Sequence, residues 1–181
     1  MNDLQKQKKG IFGFLKIAVI FSSLICLTSC WQSSNKNYGR IIPSDSIATY
    51  TKDELIDLYW EYKDELNEVA KIAMANASLR KEMIDNNLTD KNICEISNKK
   101  HFSEDDWEKI VALCEKIRPS AIELKNGGPI GIYGKRFKTD DGWVSVSLQY
   151  FHNSAISAKY PKKGMEQLDG YWYIKERISE W

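Results

Sequence analysis

Histidine is scarce in this chain, where His101 and His152 are the only two. Neither stands in a His-Glu-x-x-His arrangement or at ligand spacing from a cysteine, so no metal site is expected. Gly-x-Ser-x-Gly and the glycine-rich phosphate loop are also missing, which removes common hydrolase and nucleotide-binding signatures, and no motif calls for a cofactor. Net charge is low, with 26 Lys and Arg against 25 Asp and Glu. That balance gives no electrostatic ground for a nucleic-acid partner. Internal repeats are absent too. Acidic side chains are plentiful, so a pair brought together by folding stays open as one enzymatic reading, a hydrolase working through carboxylates.

Long apolar runs are equally rare. One stands out, from Ile17 to Leu27, preceded by Lys6, Lys8, Lys9 and Lys16 and followed by Thr28-Ser29-Cys30. A membrane span needs about 20 apolar residues, and Lys16 interrupts any extension back to Ile11. An ordinary secretory signal would carry an Ala-x-Ala-like site, which is missing. Leu27-Thr28-Ser29-Cys30 instead resembles the lipobox of bacterial lipoprotein signal peptides. The resemblance implies cleavage after Ser29, so that residues 1–29 leave as the signal, and lipidation of the Cys30 thiol. It also implies two or three acyl chains, where one alone would bind a bilayer only marginally. Trp31 follows where an Asp would favour inner-membrane retention. The implied address is the cell envelope, and the periplasmic face of the outer membrane in an organism that has one.

Removing four lysines and one aspartate with the signal leaves 22 basic and 24 acidic residues, a net charge of −2. The mature chain is long enough for one domain with a real core. Residues 30–50, rich in Ser, Asn and Lys, read as the lipidated cysteine and a flexible tether, with the globular domain over 51–181. Cys94 and Cys114 remain as a pair, and in an oxidising compartment they are disulfide candidates. Two buried free thiols are the alternative, since Cys114 falls on an apolar helix face.

Thr51-Lys52-Asp53-Glu54 reads as a capping box opening a long helix. Its stripe of Leu55, Leu58, Tyr59, Tyr62, Leu66, Val69 and Ala73 continues toward Leu79 and Met83. Leu88 to Lys100 holds a short helical turn. Ser103 starts a second helix along Trp107, Ile110, Val111, Cys114 and Ile117, and Arg118-Pro119 stops it. Strand patterns follow. Ile130 to Tyr133 is joined through the Asp140-Asp141-Gly142 turn to Val144, Val146, Leu148 and Tyr150, and Asp169-Gly170 leads to a last strand from Tyr171 to Ile178. Helices followed by strands predict an α+β fold, with N-terminal helices packed on one face of a C-terminal antiparallel sheet of three or four strands. The stretch Gly170-Tyr171-Trp172-Tyr173-Ile174 after such helices is loosely similar to cystatin-like and NTF2-like α+β folds.

Two features point to binding. Trp143, Phe151, Trp172 and Tyr173 make the sheet aromatic and are candidates for a contact patch, of a kind favoured at interfaces. Lys135, Arg136, Lys138, Lys159, Lys162 and Lys163 place basic charge near hairpin ends, either as a solvated rim or facing an anionic partner. The expected function is therefore a lipid-anchored envelope protein, held to the bilayer through Cys30. Its soluble domain would bind another envelope protein as assembly accessory, adaptor or immunity-type inhibitor. A carrier of a small or lipidic ligand is the alternative.

Overall fold

A computed structural model describes residues 39–152 and 164–179. Cys30, Lys159, Lys162, Lys163 and Trp181 lie outside the described residues. The elements run α1 (Lys52–Glu61), α2 (Lys63–Ala75), α3 (Ala77–Asp85), β1 (Asp90–Asn92), a 3-10 helix (Ile96–His101) and α4 (Glu104–Ile117). Six strands complete the described residues: β2 (Ala121–Lys125), β3 (Ile130–Tyr133), β4 (Phe137–Thr139), β5 (Gly142–Tyr150), β6 (Met165–Asp169) and β7 (Trp172–Ser179). Among the described residues no helix is long and apolar enough to cross a membrane.

The capping box is present, with Glu54 N–H donating to Thr51 Oγ1 at 3.3 Å and Thr51 N–H to Glu54 Oε2 at 2.8 Å. The single apolar stripe that follows is divided into three helices. Asn76 makes the second break: its Oδ1 accepts from Leu79 N–H at 2.8 Å, so the side chain caps α3 where an uninterrupted helix would have continued. Ser103 caps α4 in the same way through Asp106 N–H, at 3.2 Å. The helix ends at Arg118, which takes a left-handed φ of 41° before Pro119.

The sheet is antiparallel throughout, in the order β1-β2-β3-β5-β7-β6, with β4 also paired to β5. Among the described residues it has seven strands, not three or four. Strand β1 is three polar residues, and the short strands β2 and β6 carry charged or amide residues between their apolar ones, so none of the three has a strong alternating signal. The α+β class and the placement of helices before the sheet stand. Asp140-Asp141 turns β4 into β5, while β3 pairs with the far half of β5 along the same edge. Ile130 to Tyr133 therefore meets β5 directly, with the short β4 inserted between it and the turn.

Register assembles the core in rungs. Ile122, Ile132, Leu148 and Ile174 face one another across β2, β3, β5 and β7, and Leu124, Ile130, Tyr150 and Trp172 form the next rung. All eight are buried, beneath Leu55, Leu66, Val69, Ile110 and Leu113 from the helices. Trp172 is the largest of them. Its ring centroid lies 5.7 Å from that of Tyr59 and 5.0 Å from that of Tyr150, and its Nε1 donates to Asn67 Oδ1 at 2.8 Å.

The domain begins earlier than the expected tether boundary. Arg40 forms a bridge with Glu95, Ile41 N–H donates to Cys94 O at 2.9 Å, and Ile42 is buried. Ala48 N–H donates to Arg118 O at 2.9 Å, and Tyr50 Oη donates to Ile117 O at 2.5 Å. Residues 39–50 are thus bonded to the domain and do not act as spacer.

Cys94 and Cys114 are both buried, with their sulfurs 3.1 Å apart. As a thiol Cys114 is unreactive, because the hydrogen bond with Cys94 and burial push its pKa upward. An exchange oxidant that removes two electrons and two protons would join them across 20 residues, a loop stabilised by about 3 kcal/mol in the chain-entropy model. Protein recovered from an oxidising compartment and denatured without reductant is expected to resist alkylation at both positions; two labelled cysteines would contradict the bond. For the core, Trp172→Ala is expected to cost about 3–5 kcal/mol in urea unfolding. A loss below 1 kcal/mol would show that the indole does not hold helices to sheet.

Candidate functional site

Strand periodicity sends every second side chain of the sheet away from the helices. On β5 these are Ser145, Ser147 and Gln149; on β7, Tyr173, Lys175 and Arg177; on β3, Gly131 and Tyr133. This helix-free face is hollowed. One cleft of about 300 Å³ is lined by Tyr133, Ser145, Ser147, Gln149, Lys175 and Arg177 among others. A second, of about 390 Å³, shares Tyr133, Ser145 and Arg177 with it and extends past Arg136 to Ser179. Through the shared residues they form one trough. Its floor is β5, where two serines keep the surface low. Tyr133 rises on the β3 side, and Lys175 and Arg177 on the β7 side, opposite Ser147 and Ser145 respectively.

The trough owes its shape to a glycine. The Tyr133 ring folds back over Gly131, so that a Cβ added there would lie 2.5 Å from the Tyr133 hydroxyl. Lying back, the ring places its hydroxyl 3.5 Å from Gln149 Nε2, which also donates to Ser147 Oγ at 3.1 Å. Lys125 Nζ sits 5.9 Å from the ring centroid. Burial opposes its charge, but Tyr133, Glu123 and Asp90 outweigh burial and raise its pKa. Ser147 and Gln149 are themselves buried under these neighbours.

The four aromatic candidates do not form one patch. Trp172 belongs to the core on the helix side. Phe151 and Tyr173 are buried on the opposite side as an edge-to-face pair, 5.2 Å between centroids. Trp143 is exposed at the other end of β5, with the Arg136 guanidinium 5.9 Å from its ring centroid. Of the basic candidates among the described residues, Arg136 alone lines the trough. Sequence reasoning passed over Tyr133, Lys175 and Arg177. Alternation alone assigns Lys175 and Arg177 to the face opposite Trp172, but only the strand order shows that β5 and Tyr133 stand beside them.

A second polar cluster joins α3 to the 3-10 helix. Ser78 Oγ lies 2.8 Å from His101 Nδ1, and His101 Nε2 pairs with Glu82, one turn along α3 from Ser78. Hydroxyl, imidazole and carboxylate follow the order of an activated serine. The carboxylate, however, is shared with Lys91 at 2.8 Å and Lys100 at 3.4 Å, and none of the three residues lines the trough. With Asn76 Nδ2 donating to His101 O at 2.7 Å, the cluster works as a clamp between two helices. His152 follows β5, and burial, then the Arg80 charge, lowers its pKa. Cys94 and Cys114 are core residues away from the trough, and no group of three His, Cys, Asp or Glu among the described residues is placed to hold a metal ion.

Two outcomes follow from this geometry. The hydrogen bond from Lys91 above all holds the Glu82 carboxyl down at about 2, against an ordinary 4.5. A depressed carboxyl contributes stability that is complete above the ordinary value and is lost as pH falls toward the depressed one. Between pH 4.5 and 2, urea unfolding should therefore weaken more steeply in the wild type than in Glu82→Gln; parallel profiles would remove Glu82 from the account. Gly131→Ala should keep the fold but expel the Tyr133 ring, read as lost NMR contacts between that ring and Gln149. Unchanged contacts would show that the close approach is unimportant.

Comparisons with protein-family models, with curated proteins and with solved structures give no match.

Proposed function

We propose that this chain is a cell-envelope lipoprotein, anchored through acylated Cys30, whose soluble domain binds another envelope protein through the helix-free face of its sheet. The observation that carries the docking surface is the contrast between the two faces. One face is sealed under four helices by apolar rungs; the other is hollowed into an open trough lined by hydroxyl, amide and cationic side chains. Open, polar troughs suit recognition of a protein segment better than enclosure of an apolar ligand, which calls for a largely apolar cavity. The lipobox residues Leu27 to Cys30 supply the anchor and, with Trp31, the outer-membrane address facing the periplasm. An adaptor, assembly accessory or immunity-type inhibitor all fit this plan.

A photo-crosslinking amino acid in place of Ser145 tests the docking face in cells. One dominant protein adduct is expected, lost when excess unlabelled domain competes. Adducts formed from the exposed helix residue Trp60 but never from Ser145 would move the interface to the helices. For the anchor, Cys30→Ala should abolish acylation and leave the precursor uncleaved, and normal processing of that variant would refute the lipobox.

A further inference from the structure

We infer that the trough recognises an extended acidic segment of the partner protein, whose carboxylates on alternate residues pair with Lys175 and Arg177. The inference rests on the docking reading above and adds what the face selects. Lys175 and Arg177 occupy positions i and i+2 of β7 and project to the same side, next to Ser147 and Ser145 of β5. Neither has an ion-pair partner among the described residues, although eight other pairs bind charges elsewhere on the domain. Lys125 and Arg136 add positive charge toward the two ends of the trough, and among the described residues Glu123 is the single carboxylate that lines it.

The spacing of the charges selects the ligand's form. Residues i and i+2 of a strand lie about 7 Å apart, so these two cations do not converge on one point as donors around a phosphate would. They match acidic side chains two residues apart on a second extended chain, which has the same repeat. The floor supplies what such a chain needs as well: Ser145 is half-buried and offers a hydroxyl to its backbone, and the small size of Ser145 and Ser147 lets it approach. Its length fits too, since the trough follows β5 from Gln149 past Ser145 and on toward Ser179 of β7. A compact ligand would fill only part of it.

The first probe is a fluorescent (Glu-Ser)6 peptide, titrated against the soluble domain by anisotropy beside a (Lys-Ser)6 control. The acidic peptide is expected to bind, the basic one not, with affinity falling as salt rises because exposed pairs are screened within about 8 Å at physiological salt. Lys175→Glu with Arg177→Glu should weaken the acidic peptide by more than about tenfold and create binding of the basic one. That gain cannot come from misfolding, and a matching thermal melt completes the control. Equal binding of both peptides, or tighter binding to phosphatidylglycerol vesicles, would overturn the inference, the latter in favour of a membrane surface. In cells, the Ser145 adduct should disappear in the double charge variant. Its persistence would overturn the acidic segment while leaving the docking face intact; its absence from the parent protein would remove the docking face itself.

Discussion

The Trp172 indole is the constraint on which the arrangement depends. It is the first residue of β7, and its ring is held between Tyr59 of α1 and Tyr150 of β5 while its N–H is fixed by Asn67 of α2. Three elements thereby agree on one depth and one orientation. Because a strand alternates, fixing Trp172 toward the helices fixes Tyr173, Lys175 and Arg177 away from them. A slip of one residue would put Lys175 into the core and Ile174 into the trough. The helix-free face thus inherits its chemistry from the packing of the opposite one.

How much of this was legible differs from element to element. Caps were readable, because Thr51-Glu54 and Ser103 act on amides within three residues and need no tertiary partner. The long apolar stripe was readable as helix but not as three helices: the break at Asn76 depends on a side chain choosing to cap α3 while also holding His101 O. Strand β5 announced itself by clean alternation. Strand β2 did not, since five residues with Glu123 between Ile122 and Leu124 also fit a helical turn. For the site, period two assigned faces correctly along single strands, but neighbours across the sheet come from order and register. The fold of the Tyr133 ring over Gly131 is a contact between two residues that sequence places on the same face with no hint of overlap.

Polar groups are treated in two opposite ways in this domain. At Glu82 three cationic or ionisable groups converge on one carboxylate, so the charges are satisfied internally and hold the 3-10 helix to α3. Along the trough, hydroxyls and amides are bonded to one another while the cations of β7 have no ion-pair partner among the described residues. Charges left without internal partners add little to folding stability. Their energetic value is realised only when a complementary group arrives from outside, which is how a stable domain keeps binding free energy in reserve.

The first pinned residues of the domain have a mechanical consequence. Arg40 bridges Glu95 and Ile41 bonds Cys94, so a tensile load applied through the anchor proposed at Cys30 would enter the described fold beside the cysteine pair. Eight residues separate Cys30 from Gly39 in the sequence, and a chain of that length spans about 30 Å at full extension. Under the anchor proposed at Cys30, a covalent link from Cys94 to Cys114 would pass such a force directly into α4, making the pair a strain relief for the fold.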